Sequence, residues 1–193
     1  MSEATESAVE AKEKDRRAAL IIAILALFLA LSEAGAKNAQ HHSTEKNIES
    51  SDLYNFYQAK KIRSTIFEAA SEMLESERTG FVDPKAQETL DKQVAEFKAR
   101  IAQFEKDPKK PEDSLDAIQE RANHAAEGRE LANRRLEHYE FGSGLFQIAI
   151  VLASAAIITG IAALMWLSVA LGAVGVVLTA FGFFAPNVIT FIG

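Results

Sequence analysis

Cysteine is absent from the 193 residues, which excludes a disulfide scaffold, a thiolate metal site and a cysteine nucleophile while leaving the compartment open. Proline is scarce, at four residues, and tryptophan occurs once. The most consequential absence is of charge: the last acidic or basic side chain is Glu140, and residues 141–193 hold no Asp, Glu, Lys or Arg. A soluble core of this size has no need of such a run. Basic excess is lacking too, since 21 Lys plus Arg stand against 27 Asp plus Glu for a formal net charge of -6. Between Lys37 and Glu140 there are 17 basic and 21 acidic residues with no dominant basic block, so nucleic acid is not an expected partner.

Catalytic motifs are missing as well. The sequence contains no P-loop, dinucleotide fingerprint or H-E-x-x-H. Gly142, Ser143 and Gly144 do not form the G-x-S-x-G of a nucleophile elbow and read as a flexible joint. Of the four histidines, adjacent His41 and His42 cannot share a helix face. His124 and His138 can, with Glu120 one turn before His124, but no second Glu and His pair completes a metal site, and a solvated helix surface is expected. No catalytic, cofactor-binding or metal-ligating residue is expected, and the chain reads as non-enzymatic.

What is present is membrane-length apolar sequence. Ala18 to Ser32 carries no charge and follows Lys12, Lys14, Arg16 and Arg17. As helix it covers about 22 Å; continued to Ala36 it reaches about 28 Å, close to the roughly 30 Å hydrocarbon layer. The charge-free C-terminal block would measure about 80 Å as one helix and must turn back. Two spans are expected, 145–166 and 168–185, with the reversal at Trp166, Leu167 and Ser168 because tryptophan favours the interface. Pro186 and Asn187 then open a tail, 186–193. The four basic residues of the charged N-terminal segment, 1–17, place the N-terminus in the cytoplasm and the long segment after the first span outside it. A rival reading takes the first span as a cleavable signal peptide ending at Ala34, Gly35 and Ala36, although Glu33 interrupts that site.

Small residues recur along each span at steps of three and four: Ala19, Ala23, Ala26 and Ala30 in the first; Ala149, Ala153, Ala156, Gly160 and Ala163 in the second; Ser168, Gly172, Gly175, Thr179 and Gly182 in the third. Lipid gives helices no hydrophobic reason to associate, so close van der Waals contact along such stripes is the expected glue. The next step of the first stripe is Glu33. It reads either as an interfacial acid reaching water or Lys37, or as an ion site.

Between the spans, residues 37–140 read as three helical arms, 37–79, 84–107 and 114–140. Gly80, Asp83 and Pro84 mark the first break; Pro108, Pro111, Asp113 and Ser114 mark the second. Leu90, Val94, Phe97, Ile101 and Phe104 form a heptad stripe, and a like one runs from Leu115 through Ile118, Ala122, Ala125, Ala132 and Leu136 to Tyr139. The first arm has a broader apolar face through Leu53, Phe56, Ile62, Ile66, Phe67, Ala70, Met73 and Leu74, enough for more than one neighbour. The chain leaves and must re-enter the membrane at one surface. The first arm is about 65 Å as helix and the other two together about 76 Å, which predicts one arm outward and a broken arm back. A break at Ser50, Ser51 and Asp52, giving a shorter bundle, is the alternative.

The stretch Leu53 to Arg63 mixes Tyr54, Phe56 and Tyr57 with Lys60, Lys61 and Arg63. It is either a partner or headgroup patch, or a helix burying rings beside solvated cations. LSEAGAKNAQ at the end of the first span and SDLYNFYQAKKIR in the first arm resemble an uncharacterised bacterial membrane-protein family catalogued only as a domain of unknown function. The resemblance implies a bacterial membrane protein with one span, a helical segment and a terminal pair of spans, and the bacterial inner membrane is the expected location of the multi-pass chain. It supplies no activity, ligand or catalytic residue. In that family the loop between the last two spans is often basic, whereas here it carries no charge. The expected fold is therefore all-α, with three transmembrane helices and a long coiled-coil-like helical hairpin between the first and second. The expected role is a scaffold in the lipid bilayer that forms homo-oligomers or holds an envelope protein, with a channel or transport accessory using Glu33 as the competing class.

Overall fold

The computed structural model of the chain describes residues 2–78, 80 and 83–188, with side chains from residue 13 onward apart from 14 and 15. The described residues form four α-helices and one 3-10 turn, with no strand among them: α1 (Ser2–Arg78), α2 (Pro84–Glu105), the turn Pro111–Asp113, α3 (Leu115–Thr159) and α4 (Ala162–Phe184). The expected all-α class is found, and α1, α3 and α4 are each long and apolar enough to cross a membrane.

Proline placement explains the helix count. All four prolines lie at helix starts or outside helices, and the first is Pro84, so nothing in the preceding chain removes a backbone donor. α1 accordingly runs unbroken through Ala36, Lys37 and Ser50–Asp52, and the shorter-bundle alternative is not observed. Asp83 starts α2 by accepting a bond from the Lys85 backbone N–H at 3.1 Å, with Pro84 as the first helical residue. Past its end, the carboxyl of Asp107 is held below the usual carboxylate range, first by the Lys109 backbone N–H and then by Gln103. Ser114 caps α3 by accepting from the Ala117 N–H at 3.3 Å.

Two expectations are corrected. The reversal between the last helices lies at Gly160 and Ile161, not at Trp166 to Ser168. Gly160 has φ 71, a left-handed conformation that glycine adopts without a Cβ penalty. Trp166 sits inside α4, and the predicted spans 145–166 and 168–185 become the second part of α3, to Thr159, and α4 from Ala162. Nor are Gly142, Ser143 and Gly144 a joint: all three are helical residues of α3, and Gly142 and Ser143 are buried. Of the predicted tail, Pro186 to Val188 are seen and 189–193 lie outside the described residues.

The chain divides into two compact units, Met1–Thr44 with Arg129–Gly193, and Glu45–Gly128; α1 and α3 contribute to both. The first unit is a three-helix bundle whose core is Leu25, Phe146 and Ala149, flanked by Ile21, Phe28, Leu29, Ile150, Leu171 and Val176. The second packs the remainder of α1 against α2 and the start of α3. Leu53, Ile118 and Ala122 form one cluster with Tyr57 against it, and Phe67 meets Phe97 and Phe104 at centroid distances of 5.4 and 6.0 Å.

Candidate functional site

In the three-helix unit the small-residue stripes of α3 and α4 face inward. Ala149, Ala153, Ala156, Ser168, Gly172, Gly175 and Gly182 are buried and Thr179 is half-buried, whereas Gly160 and Ala163 are exposed at the reversal. The α1 stripe is a correction: Ala19, Ala23, Ala26 and Ala30 are all exposed. The buried side of α1 is instead Ala18, Leu25, Ser32 and Ala39, at steps of seven. Size complementarity is the reason. A β-carbon on Gly172 would collide with the Leu25 side chain, and one on Gly175 would lie 2.9 Å from the Phe146 ring. Large side chains therefore fill the notches that small ones leave.

One polar knot joins all three helices. The Ser32 hydroxyl, fully buried, donates to the Tyr139 carbonyl at 2.9 Å and lies 3.1 Å from the Thr179 hydroxyl, which donates to the Gly175 carbonyl at 2.9 Å. Nearer the reversal, buried Ser168 donates to the Ala149 carbonyl at 2.7 Å. Interhelical bonds of this kind contribute about 0.6 kcal/mol on average in apolar surroundings. Gly142 makes the knot possible, since a β-carbon there would sit 2.5 Å from the Thr179 hydroxyl.

Other predicted residues fall as follows. Glu33 is exposed on α1, beside Ser32 in sequence, and takes part in no ion pair among the described residues. The aromatic and basic stretch is divided between faces. Tyr54 donates to Asn123 at 2.6 Å, Lys60 donates to the Asp113 carbonyl and lies over the Phe56 ring, and Tyr57 packs on the core, while Lys61 and Arg63 are exposed. His124 is exposed, but His138 is wholly buried, tilted against Phe181 at 6.5 Å, so solvated surface does not describe it. Gly182 opens the space: a β-carbon on it would come 3.0 Å from that of His138. Among the described residues no cluster of three or more His, Asp and Glu can hold a metal. In the second unit Lys46 and Glu49 are 2.6 Å apart, and their mutual hydrogen bond is the first cause raising the lysine pKa and lowering that of the glutamate.

A feature that sequence reasoning missed lies where α1, α3 and α4 meet. A cavity of about 230 Å³ is lined by Asn38, His42, Arg135, Tyr139 and Phe183, among others. A groove of about 460 Å³ between α1 and α4, lined by Phe28, Leu31, Val176 and Ala180, shares Gly35, Asn38, Tyr139 and Phe183 with it. No single stretch of sequence carries this signal, because three helices supply the walls.

No curated protein and no solved structure matches the chain. A family whose description is "Domain of unknown function (DUF4337)" matches residues 14–185, nearly the whole chain, and the protein belongs to that family.

Proposed function

We propose that the protein is a non-enzymatic scaffold of the bacterial inner membrane, anchored by the three apolar helices, with its N-terminus cytoplasmic and an extracytoplasmic helical hairpin, and that copies assemble through α1. The observation that carries this reading is that α1 leaves an apolar stripe uncovered in each unit. In the first unit it is Ala19, Ala23, Ala26 and Ala30, close-approach residues on the outer face. In the second it is Ala59, Ile62, Ile66, Ala69 and Met73, spaced 3, 4, 3, 4, with Ile62 61%, Ile66 60% and Met73 63% exposed. That is a heptad seam without an occupant, and a second α1 satisfies it. The broad face of the first arm is thereby divided, one side packing on α2 and α3 and the other free for a partner copy or an envelope protein.

Mass photometry of the full-length protein in mild detergent should give an oligomer, and Ala23→Leu with Ala26→Leu should shift it toward monomer without altering helix content. A monomeric wild type would overturn the proposal. The position of Glu33 supports one further reading: an exposed carboxylate at the end of the Ala stripe would form a ring in such an assembly and select cations. Planar-bilayer conductance that changes in Glu33→Gln would establish a channel; absence of conductance leaves the scaffold.

A further inference from the structure

We infer that the cavity and groove between α1, α3 and α4 form one binding site for an anionic phospholipid, with the headgroup phosphate at Arg135 and an acyl chain along α4. The inference rests on the membrane placement proposed above, not on self-assembly.

The charge pattern of the cavity is one-sided. Its lining contains Arg135, His42 and Asn38 and no Asp or Glu. The neighbouring Arg134 is engaged, bridged to Glu130 and donating to Asn187 at 3.3 Å. Arg135 enters no ion pair among the described residues, and its exposed guanidinium keeps its forked donors for an external anion.

The groove decides the kind of anion. Its walls are mostly carbon, from Phe28 and Leu31 of α1 and Val176, Ala180 and Phe183 of α4, with Thr179 polar among them and Asn38 and Tyr139 where it meets the cavity. Tyr139 lines both spaces, its ring drawn against α1 because Gly35 has no side chain; a β-carbon there would lie 2.9 Å from the ring. The cavity that holds Arg135 and the apolar groove thus share one wall, an order that matches a phosphate followed by a hydrocarbon chain. Free phosphate would have no use for the groove, and a zwitterionic lipid would bring a second cation toward Arg135. The depth agrees as well: Gly35 and Asn38 follow the charge-free stretch of α1, and Gly182 and Phe183 end α4, so the arginine lies where headgroups lie. Together the two spaces fall in the range of about 300–1,000 Å³ usual for small-ligand sites.

The test is native mass spectrometry of full-length protein released from nanodiscs of phosphatidylcholine with phosphatidylglycerol. Wild type should retain phosphatidylglycerol in preference to phosphatidylcholine. Arg135→Gln should cut that preference about tenfold, as expected for losing a charge-assisted contact, and Arg135→Lys should restore part of it. Arg134→Gln should leave it unchanged. Ala180→Phe, which fills the groove without touching charge, should weaken retention of both lipids and serves if Arg135→Gln does not fold. Equal preference in wild type and Arg135→Gln would overturn the site, as would displacement of the lipid by inorganic phosphate. Failure of the wild type to enter nanodiscs would overturn the membrane placement first, and the site with it.

Discussion

Gly142 and Gly144 stand two residues apart in α3 and meet opposite surroundings. A β-carbon on Gly142 would press on the Thr179 and Ser32 hydroxyls and lie 3.3 Å from the Gly175 carbonyl, whereas nothing lies within 4 Å of one on Gly144. Gly142→Ala should therefore cost about 1–3 kcal/mol through overpacking and disruption of the knot. Gly144→Ala should gain about 0.5–1 kcal/mol, because alanine loses less backbone freedom in a helix. Thermal unfolding in a single detergent measures both, and equal signs would contradict the packing described. Residues of this kind are only half legible in the sequence. Gly172, Gly175 and Ala149 were marked by their spacing and do lie inside the bundle. Ala19, Ala23, Ala26 and Ala30 had the same spacing and lie outside, because a helix can meet notches with large side chains as well as with small ones. Leu25 and Phe28, which lie on the buried and half-buried side of α1, looked like any lipid-facing residues. Arg135 carries no signal of its own in the sequence, since only folding brings it to Asn38 and Phe183.

Helix starts were more legible than helix joints. Asp83 with Pro84 is readable from residue type alone, and Asp113 or Ser114 for the next start, of which the fold uses Ser114, because a capping side chain bonds to the backbone within its own first turn. Asp83→Ala should lower the stability of α2 by about 1 kcal/mol. Hydrogen exchange should then show faster opening confined to Pro84–Glu105, and uniform change across all helices would contradict a local cap. Joints without such chemistry misled. Trp166 suggested a turn by its liking for interfaces, but Gly160, with its positive φ, makes the turn by conformation, and a glycine already placed in a small-residue stripe gave no separate sign of that duty. In the stripe of α2 Val94 is buried while Leu90, Phe97, Ile101 and Phe104 are half-buried, and in early α3 Leu115, Ile118 and Ala122 are buried.

At the scale of the whole chain, the all-α class and the three long apolar helices followed from where charge stops, a one-dimensional property that needs no contact map. The function did not follow, since seams and pockets are three-dimensional. The connector between α3 and α4 consists of Gly160 and Ile161, and neither it nor any residue beyond Glu140 carries charge. Moving one elementary charge through a membrane potential of 100 mV involves about 2.3 kcal/mol, and the apolar hairpin from residue 141 to the end of α4 holds no charged side chain, those of α3 lying between Asp116 and Glu140. Its integration should therefore proceed at the same rate in energised and de-energised vesicles, measured by protease protection of a newly made chain with and without a protonophore. A strong dependence would mean that something other than this helical pair is being carried across. In the membrane placement proposed above, the hairpin of residues 141–184 enters the bilayer without drawing on the electrical gradient.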